Sequence, residues 1–118
     1  MTNNPIAPYQ VRRLAFEYEE RPGTYKERPV IVGAVDETVA VVLLIKVTGH
    51  GPRREYPGEV WLEDWRSEGL TKPSTARCSK TVEVDVSDVE MSPMLGSLSE
   101  RDAQAVRQGL IDAGKISL

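Results

Sequence analysis

The sequence predicts a mainly β fold, a small, strongly bent antiparallel sheet or partial barrel with a single C-terminal helix over one opening. Three observations carry this. Valine- and isoleucine-rich runs at residues 29–34 and 39–47 have the length and β-branched content of buried strands. Strict alternation marks Leu14, Phe16 and Tyr18, and again Val82, Val84 and Val86. Helical spacing appears in the tail, where Ala103, Val106, Leu110 and Ala113 recur at three- and four-residue intervals.

In chain order, the first strand ends where Arg21-Pro22-Gly23 breaks the alternation, and a polar loop is expected there. The runs at 29–34 and 39–47 are joined through Val35-Asp36-Glu37-Thr38, short enough for a hairpin, and should form the centre of the sheet. Residues 59–62 give a short strand after Tyr56-Pro57-Gly58, and residues 75–86 give the fifth. Ser99 is a good N-cap for a helix over residues 99–113, because Glu100 and Asp102 in its first turn suit the helix dipole, and Gly114 stops it. Trp61, inside a strand, is expected to fill the core. Trp65, in an acidic segment, is expected to mark a dimer or partner surface, and Cys78 to be a small buried apolar residue.

At 118 residues the chain is read as one domain, with residues 1–9 as a flexible N-terminus. No apolar run approaches the ~20 residues of a membrane span, and residues 1–8 lack the basic and apolar regions of a secretory signal. A cytoplasmic address follows. One cysteine and one histidine leave no internal disulfide and no structural zinc site. The net charge of −3, from 15 basic and 18 acidic residues, argues against nonspecific duplex binding. The cations nevertheless cluster, at Arg12-Arg13, between Lys46 and Arg54, and at Arg77 with Lys80. The middle cluster directly follows the strongest apolar run, so its side chains leave a rigid strand and stay open to an anionic ligand.

Read in order, Phe16-x-Tyr18, Lys26-Glu27-Arg28-Pro29-Val30-Ile31-Val32, Val47-Thr48-x-His50-x-Pro52-Arg53 and Tyr56-Pro57-Gly58-Glu59-Val60 form one series. It continues with Glu68-Gly69-Leu70-x-Lys72-Pro73-Ser74, Arg77-Cys78-Ser79-Lys80 and Gly96-x-Leu98-Ser99-x-x-Asp102. The series resembles the MazF/PemK toxins of type II toxin–antitoxin pairs over nearly the whole chain. The resemblance implies an SH3-like barrel of the CcdB/PemK type with a C-terminal helix, usually a homodimer. It also implies a metal-independent endoribonuclease that needs no cofactor and cuts single-stranded RNA at short sequences. In that chemistry the 2′-hydroxyl attacks the adjacent phosphate, leaving a 2′,3′-cyclic phosphate, and a cognate antitoxin occupies the basic groove.

Carried over residue by residue, the resemblance assigns Arg28 to charge stabilisation, since its planar fork suits two phosphate oxygens. Thr48 would bond a phosphate oxygen, and Arg77 matches the catalytic arginine of an Arg-Cys-Asp-Gln run. Lys46, Arg53, Ser79 and Lys80 would attract the RNA backbone. Two departures stand out. Ser79 and Lys80 replace the Asp and Gln of that run, and Gly23 stands where other members carry a glutamate. General base duty then falls to His50, or to the loop acids Glu19 and Glu20, with His50 preferred because imidazole titrates near ~6.5. The competing expectation is a non-catalytic binding module, or a toxin that poisons gyrase by binding on the same fold.

Overall fold

The computed structural model describes residues 5–18 and 20–117. Six strands form one antiparallel sheet: β1 (Gln10–Tyr18), β2 (Arg21–Asp36), β3 (Val41–Thr48), β4 (Glu59–Trp61), β5 (Thr75–Asp85) and β6 (Met94–Ser97). Their order across the sheet is β4-β5-β3-β2-β1-β6, curled into a half-barrel. A short helix α1 (Val86–Glu90) precedes β6, and α2 (Glu100–Asp112) ends the chain. The mainly β architecture with a terminal helix is the one the sequence predicts. The hairpin between the two central strands turns at residues 37–40.

Alternation along the central strands builds two cores on opposite faces. Val11, Ile31, Ile45, Val47, Ala76 and Cys78 point to one face, where Val106 and Leu110 of α2 meet them. Val30, Val32, Val42 and Leu44 point to the other, where Val89 of α1 covers them. Ser99 caps α2, its hydroxyl accepting the Asp102 N–H at 3.3 Å. The helix lies unusually close to the sheet because two glycines face each other. A side chain at Gly58, whose φ is +75°, would meet the Gly109 carbonyl oxygen at 2.5 Å, and one at Gly109 would meet Cys78 Sγ at 2.8 Å. Cys78 is buried as expected, and burial pushes its thiol up to about 12.

Several expectations need correction. Arg21-Pro22-Gly23 does not end the ribbon in a loop, because Arg21 already pairs with Tyr18 and β2 runs on from there. Proline is tolerated because the register jumps from the Tyr18–Arg21 pair to the Glu17–Tyr25 pair, so Pro22 lies in a bulge that needs no ladder bond. Residue 86 starts α1 instead of ending β5. The strand β6 was not anticipated, since its Met-Leu-Gly-Ser sequence has no alternation and is read only by its pairing with β1. Trp61 is 38% exposed instead of filling the core: in the three-residue edge strand β4 the alternation turns Val60 inward and Trp61 out. Trp65 packs half-buried against the α2-side core and also lines a surface hollow with Glu63 and Arg66. Arg12 leaves the expected cationic surface and is 1% exposed, donating from Nη1 to the Val89 and Ser92 carbonyls at 3.2 and 3.0 Å. It thereby holds the C-terminal end of α1 against the sheet.

Of the N-terminal segment, residues 1–4 lie outside the described residues. Tyr9 donates its N–H to the Val32 carbonyl at 2.6 Å and accepts from Leu98 N–H at 2.8 Å. No described helix is long and apolar enough to cross a membrane.

Candidate active site

The face covered by α1 is closed at one end only. At the other end, past Val30, the alternating positions of the same strands become Lys26 and Arg28 on β2, Lys46 and Thr48 on β3, and Arg77 on β5. Cross-strand pairing sets them side by side. Val30 pairs with Lys46, Lys46 with Arg77, and Lys26 with Phe16 of β1. Together with Glu20 from the β1–β2 turn, these residues line a hollow of about 320 Å³. Its lining carries the cations Lys26, Arg28, Lys46 and Arg77 against the single acid Glu20, so the net-negative chain concentrates positive charge there. A larger hollow of about 570 Å³ lies on the other side, between the β2–β3 hairpin and Ile116. With Asp36 and Glu83 opposing Lys115 it has no converging donors for an anion, so the smaller hollow is the chemically equipped one.

A bulge in β5 decides which of its residues reach the hollow. Ile45 pairs with Thr81 but Lys46 pairs with Arg77, so Cys78, Ser79 and Lys80 are displaced from the ladder, and Cys78 N–H bonds the Gly58 carbonyl instead. Arg77 therefore takes the place beside Lys46 that regular pairing would have given Lys80. It is held on two sides. Its Nε donates to Glu59 Oε2 at 3.1 Å, with Glu59 only 3% exposed, and its guanidinium packs on the Tyr56 ring 4.6 Å from the centroid. Nη2 of Arg77 is buried with no hydrogen-bond partner. An oriented guanidinium beside an open hollow is suited to a phosphoryl oxygen.

Arg28, Thr48, Arg77 and Lys46 are thus brought together. His50, Arg53, Ser79 and Lys80 do not line the hollow. The His50 side chain is exposed on the loop after β3, while its N–H donates to Thr48 Oγ1 at 3.4 Å and its carbonyl accepts from the Thr75 hydroxyl at 2.6 Å. Arg53 is exposed, with its N–H on Glu59 Oε1 at 3.3 Å. Lys80 stacks on the outer Tyr56 ring at 4.8 Å, and the Ser79 hydroxyl is buried without a partner. Of the loop acids, Glu20 lines the hollow, and Glu19 lies outside the described residues. Lys26 and Phe16 were missed by sequence reasoning. The signal for Lys26 was its two-residue offset from Arg28, legible only once β2 is known to begin at Arg21.

A separate group of acids, Asp64, Glu68 and Asp102, keeps one oxygen of each within 4.8 Å of the others. All three carboxylates are engaged in holding α2, although Glu68 Oε1 is buried without a hydrogen-bond partner. Asp102 accepts the Glu63 and Asp64 N–H groups at 3.1 and 3.0 Å, Glu68 Oε2 accepts Ser99 N–H at 2.8 Å, and Asp64 pairs with Arg101 at 2.8 Å. Hydrogen bonds from Arg101 and Ser99 hold Asp64 down to about 2. Burial, aided by Asp102, pushes Glu68 up to about 7.

Residues 8–113 match the family described as the PemK-like, MazF-like toxin of type II toxin-antitoxin systems. The chain belongs to this toxin family. The match spans every residue that lines the hollow. No curated protein sequence matches the chain. Among solved structures, MazE–MazF (Form-II) from Deinococcus radiodurans superposes with a TM-score of 0.71 at 15% identity, over 98% of this chain and 100% of that one. An endoribonuclease in complex with its cognate antitoxin from a mycobacterial species gives 0.65 at 16%, over 94% and 96%. The Mycobacterium tuberculosis toxin MazF-mt6 gives 0.62 at 22%, over 95% and 100%. At these identities the likeness is one of fold.

Proposed function

We propose that this chain is a cytoplasmic, single-domain endoribonuclease toxin that cleaves single-stranded RNA and is neutralised by a cognate antitoxin. The observation that carries this reading is the convergence of Arg28, Lys46, Thr48 and Arg77, from three neighbouring strands, on one open hollow. Cleavage proceeds by attack of the ribose 2′-oxygen on the adjacent phosphorus. The P–O5′ bond breaks, the 2′-proton passes to a base, and the leaving oxygen takes a proton, giving a 2′,3′-cyclic phosphate and a 5′-hydroxyl. Arg28 and Arg77 hold the non-bridging oxygens, whose negative charge grows in the transition state, and Thr48 Oγ donates to one of them. Arginine stays protonated, so Lys46 is the cation suited to protonate the leaving oxygen. Glu20 is the carboxylate within the hollow and takes the role of base that sequence reasoning gave to His50. This residue offsets the missing acids at Gly23 and Ser79.

Family membership and the solved MazE–MazF and toxin–antitoxin complexes support the antitoxin partner, and a homodimer is proposed on the same grounds. The test is cleavage of a long single-stranded RNA in EDTA by wild type, Arg28→Ala, Glu20→Gln and His50→Ala, with analysis of product ends. Cutting that leaves cyclic phosphates, fails in the first two variants and survives in His50→Ala is the expected result. Loss in His50→Ala with retention in Glu20→Gln returns the base to the loop histidine. No cleavage by folded, antitoxin-free wild type makes the chain a binding module.

A further inference from the structure

The block Gly69-Leu70-Thr71-Lys72-Pro73-Ser74 takes no part in the hollow, yet Lys72 lies against the loop that leaves it. A Cβ on Gly49 would meet Lys72 Cε at 2.8 Å and Nζ at 2.9 Å, so the lysine lies across Gly49, the residue directly after Thr48. The turn that aims it is closed by the Ser74 hydroxyl donating to the Lys72 carbonyl at 2.8 Å. Lys72 there lines a second, small hollow of about 80 Å³ with Arg13, Pro29 and Ser74. No acid lines this hollow, and neither Arg13 nor Lys72 belongs to an ion pair among the described residues.

The two hollows share one wall. Pro29 lines both, Arg28 of the first hollow is its chain neighbour, and Arg13 is its cross-strand partner on β1. Alternation puts Arg28 on the Val30 face and Arg13 on the Val11 face, so the cations of the two hollows lie on either side of Pro29. The sheet allows passage there, because β2 beyond Val30 has no β3 partner.

We propose that Arg13 and Lys72 form a second phosphate subsite, which holds the RNA phosphodiester adjacent to the one that reacts. The identity of the ligand rests on the ribonuclease reading above. Two unpaired cations around a hollow too small for a nucleoside suit a phosphate. Continuity with the first hollow across Pro29 suits a polyanion whose charges repeat along one strand better than the irregularly spaced carboxylates of a protein.

The test measures binding separately from cleavage. A fluorescein-labelled single-stranded RNA carrying 2′-O-methyl groups, which cannot react, is titrated over a salt series with wild type, Arg13→Ala, Lys72→Ala and Gly49→Ala. Each lost cation should weaken binding about tenfold at low salt and reduce the log–log salt slope by about 0.7. Gly49→Ala, which displaces the lysine head while keeping its charge, should give a smaller loss. With cleavable RNA, trimming the strand on one side of the cut should abolish the difference between Lys72→Ala and wild type in KM, with kcat unaffected. Unchanged affinity and slope in folded Arg13→Ala and Lys72→Ala would overturn the subsite. So would unchanged RNA binding with weakened binding of a polyglutamate peptide, which would hand the hollow to a protein partner. Cation-dependent binding by a wild type that cuts nothing would leave the subsite standing and remove the ribonuclease reading alone.

Discussion

The two faces of the sheet are written by alternate residues of the same strands, yet a helix of 13 residues covers the core of one and a helix of 5 residues covers the core of the other. On the α2 face, Ile31, Ile45 and Val47 meet Val106 and Leu110, and the acid group anchors the N-terminus of the helix. On the opposite face, α1 is only five residues long and covers Val30, Val32, Val42 and Leu44. Beyond its reach the same register positions carry Lys46, Thr48, Arg28 and Arg77. The contrast between Arg12 and Arg28 shows what decides the role of a cation here. Both lie on this face of the β1–β2 ribbon. Arg12 meets the carbonyls at the end of α1 and becomes structural, whereas Arg28 lies outside that cover and stays exposed to a ligand.

The largest effect is expected on the α2 face. Leu110→Ala removes a fully buried side chain from the α2 contact and should cost about 3 kcal/mol in urea unfolding. Arg28→Ala, on the open end, should leave the unfolding midpoint in place while lowering kcat by about a hundredfold or more. A comparable loss of stability in Arg28→Ala would break the division between the faces. Arg12→Ala should behave like a core variant. Losing its bonds to Val89 and Ser92 should cost about 2 kcal/mol, with any loss of activity following the unfolded fraction in calorimetry.

The acid group sharpens the comparison through pH. Glu68 titrates from 4.5 when unfolded to about 7 when folded, raised first by burial and then by Asp102. Between those values the folded chain binds more protons than the unfolded one, so stability should fall as pH rises through that window and level off above it. Chemical denaturation across the window should show the decline in wild type and a flatter profile in Glu68→Gln. The smallest effect belongs to Trp61→Ala on the β4 edge, expected within about 0.5 kcal/mol of wild type by the same denaturation.

Local signals determined the central strands, the capped terminal helix and the burial of Cys78: β-branched runs, helical spacing behind a Ser99 cap, and a small apolar side chain within a strand. The ordered motifs also singled out Arg28, Thr48 and Arg77, which the fold then brought to one hollow. Only the tertiary structure decided the rest. The bulge at residues 78–80 moved Ser79 and Lys80 away from Lys46, and the tight β1–β2 turn brought Glu20 to the hollow while His50 stayed on an outer loop. Register shifts and turn geometry arise from pairing between distant strands and leave no period in the chain. Burial of Arg12 likewise depends on α1, whose residues lie more than seventy positions away.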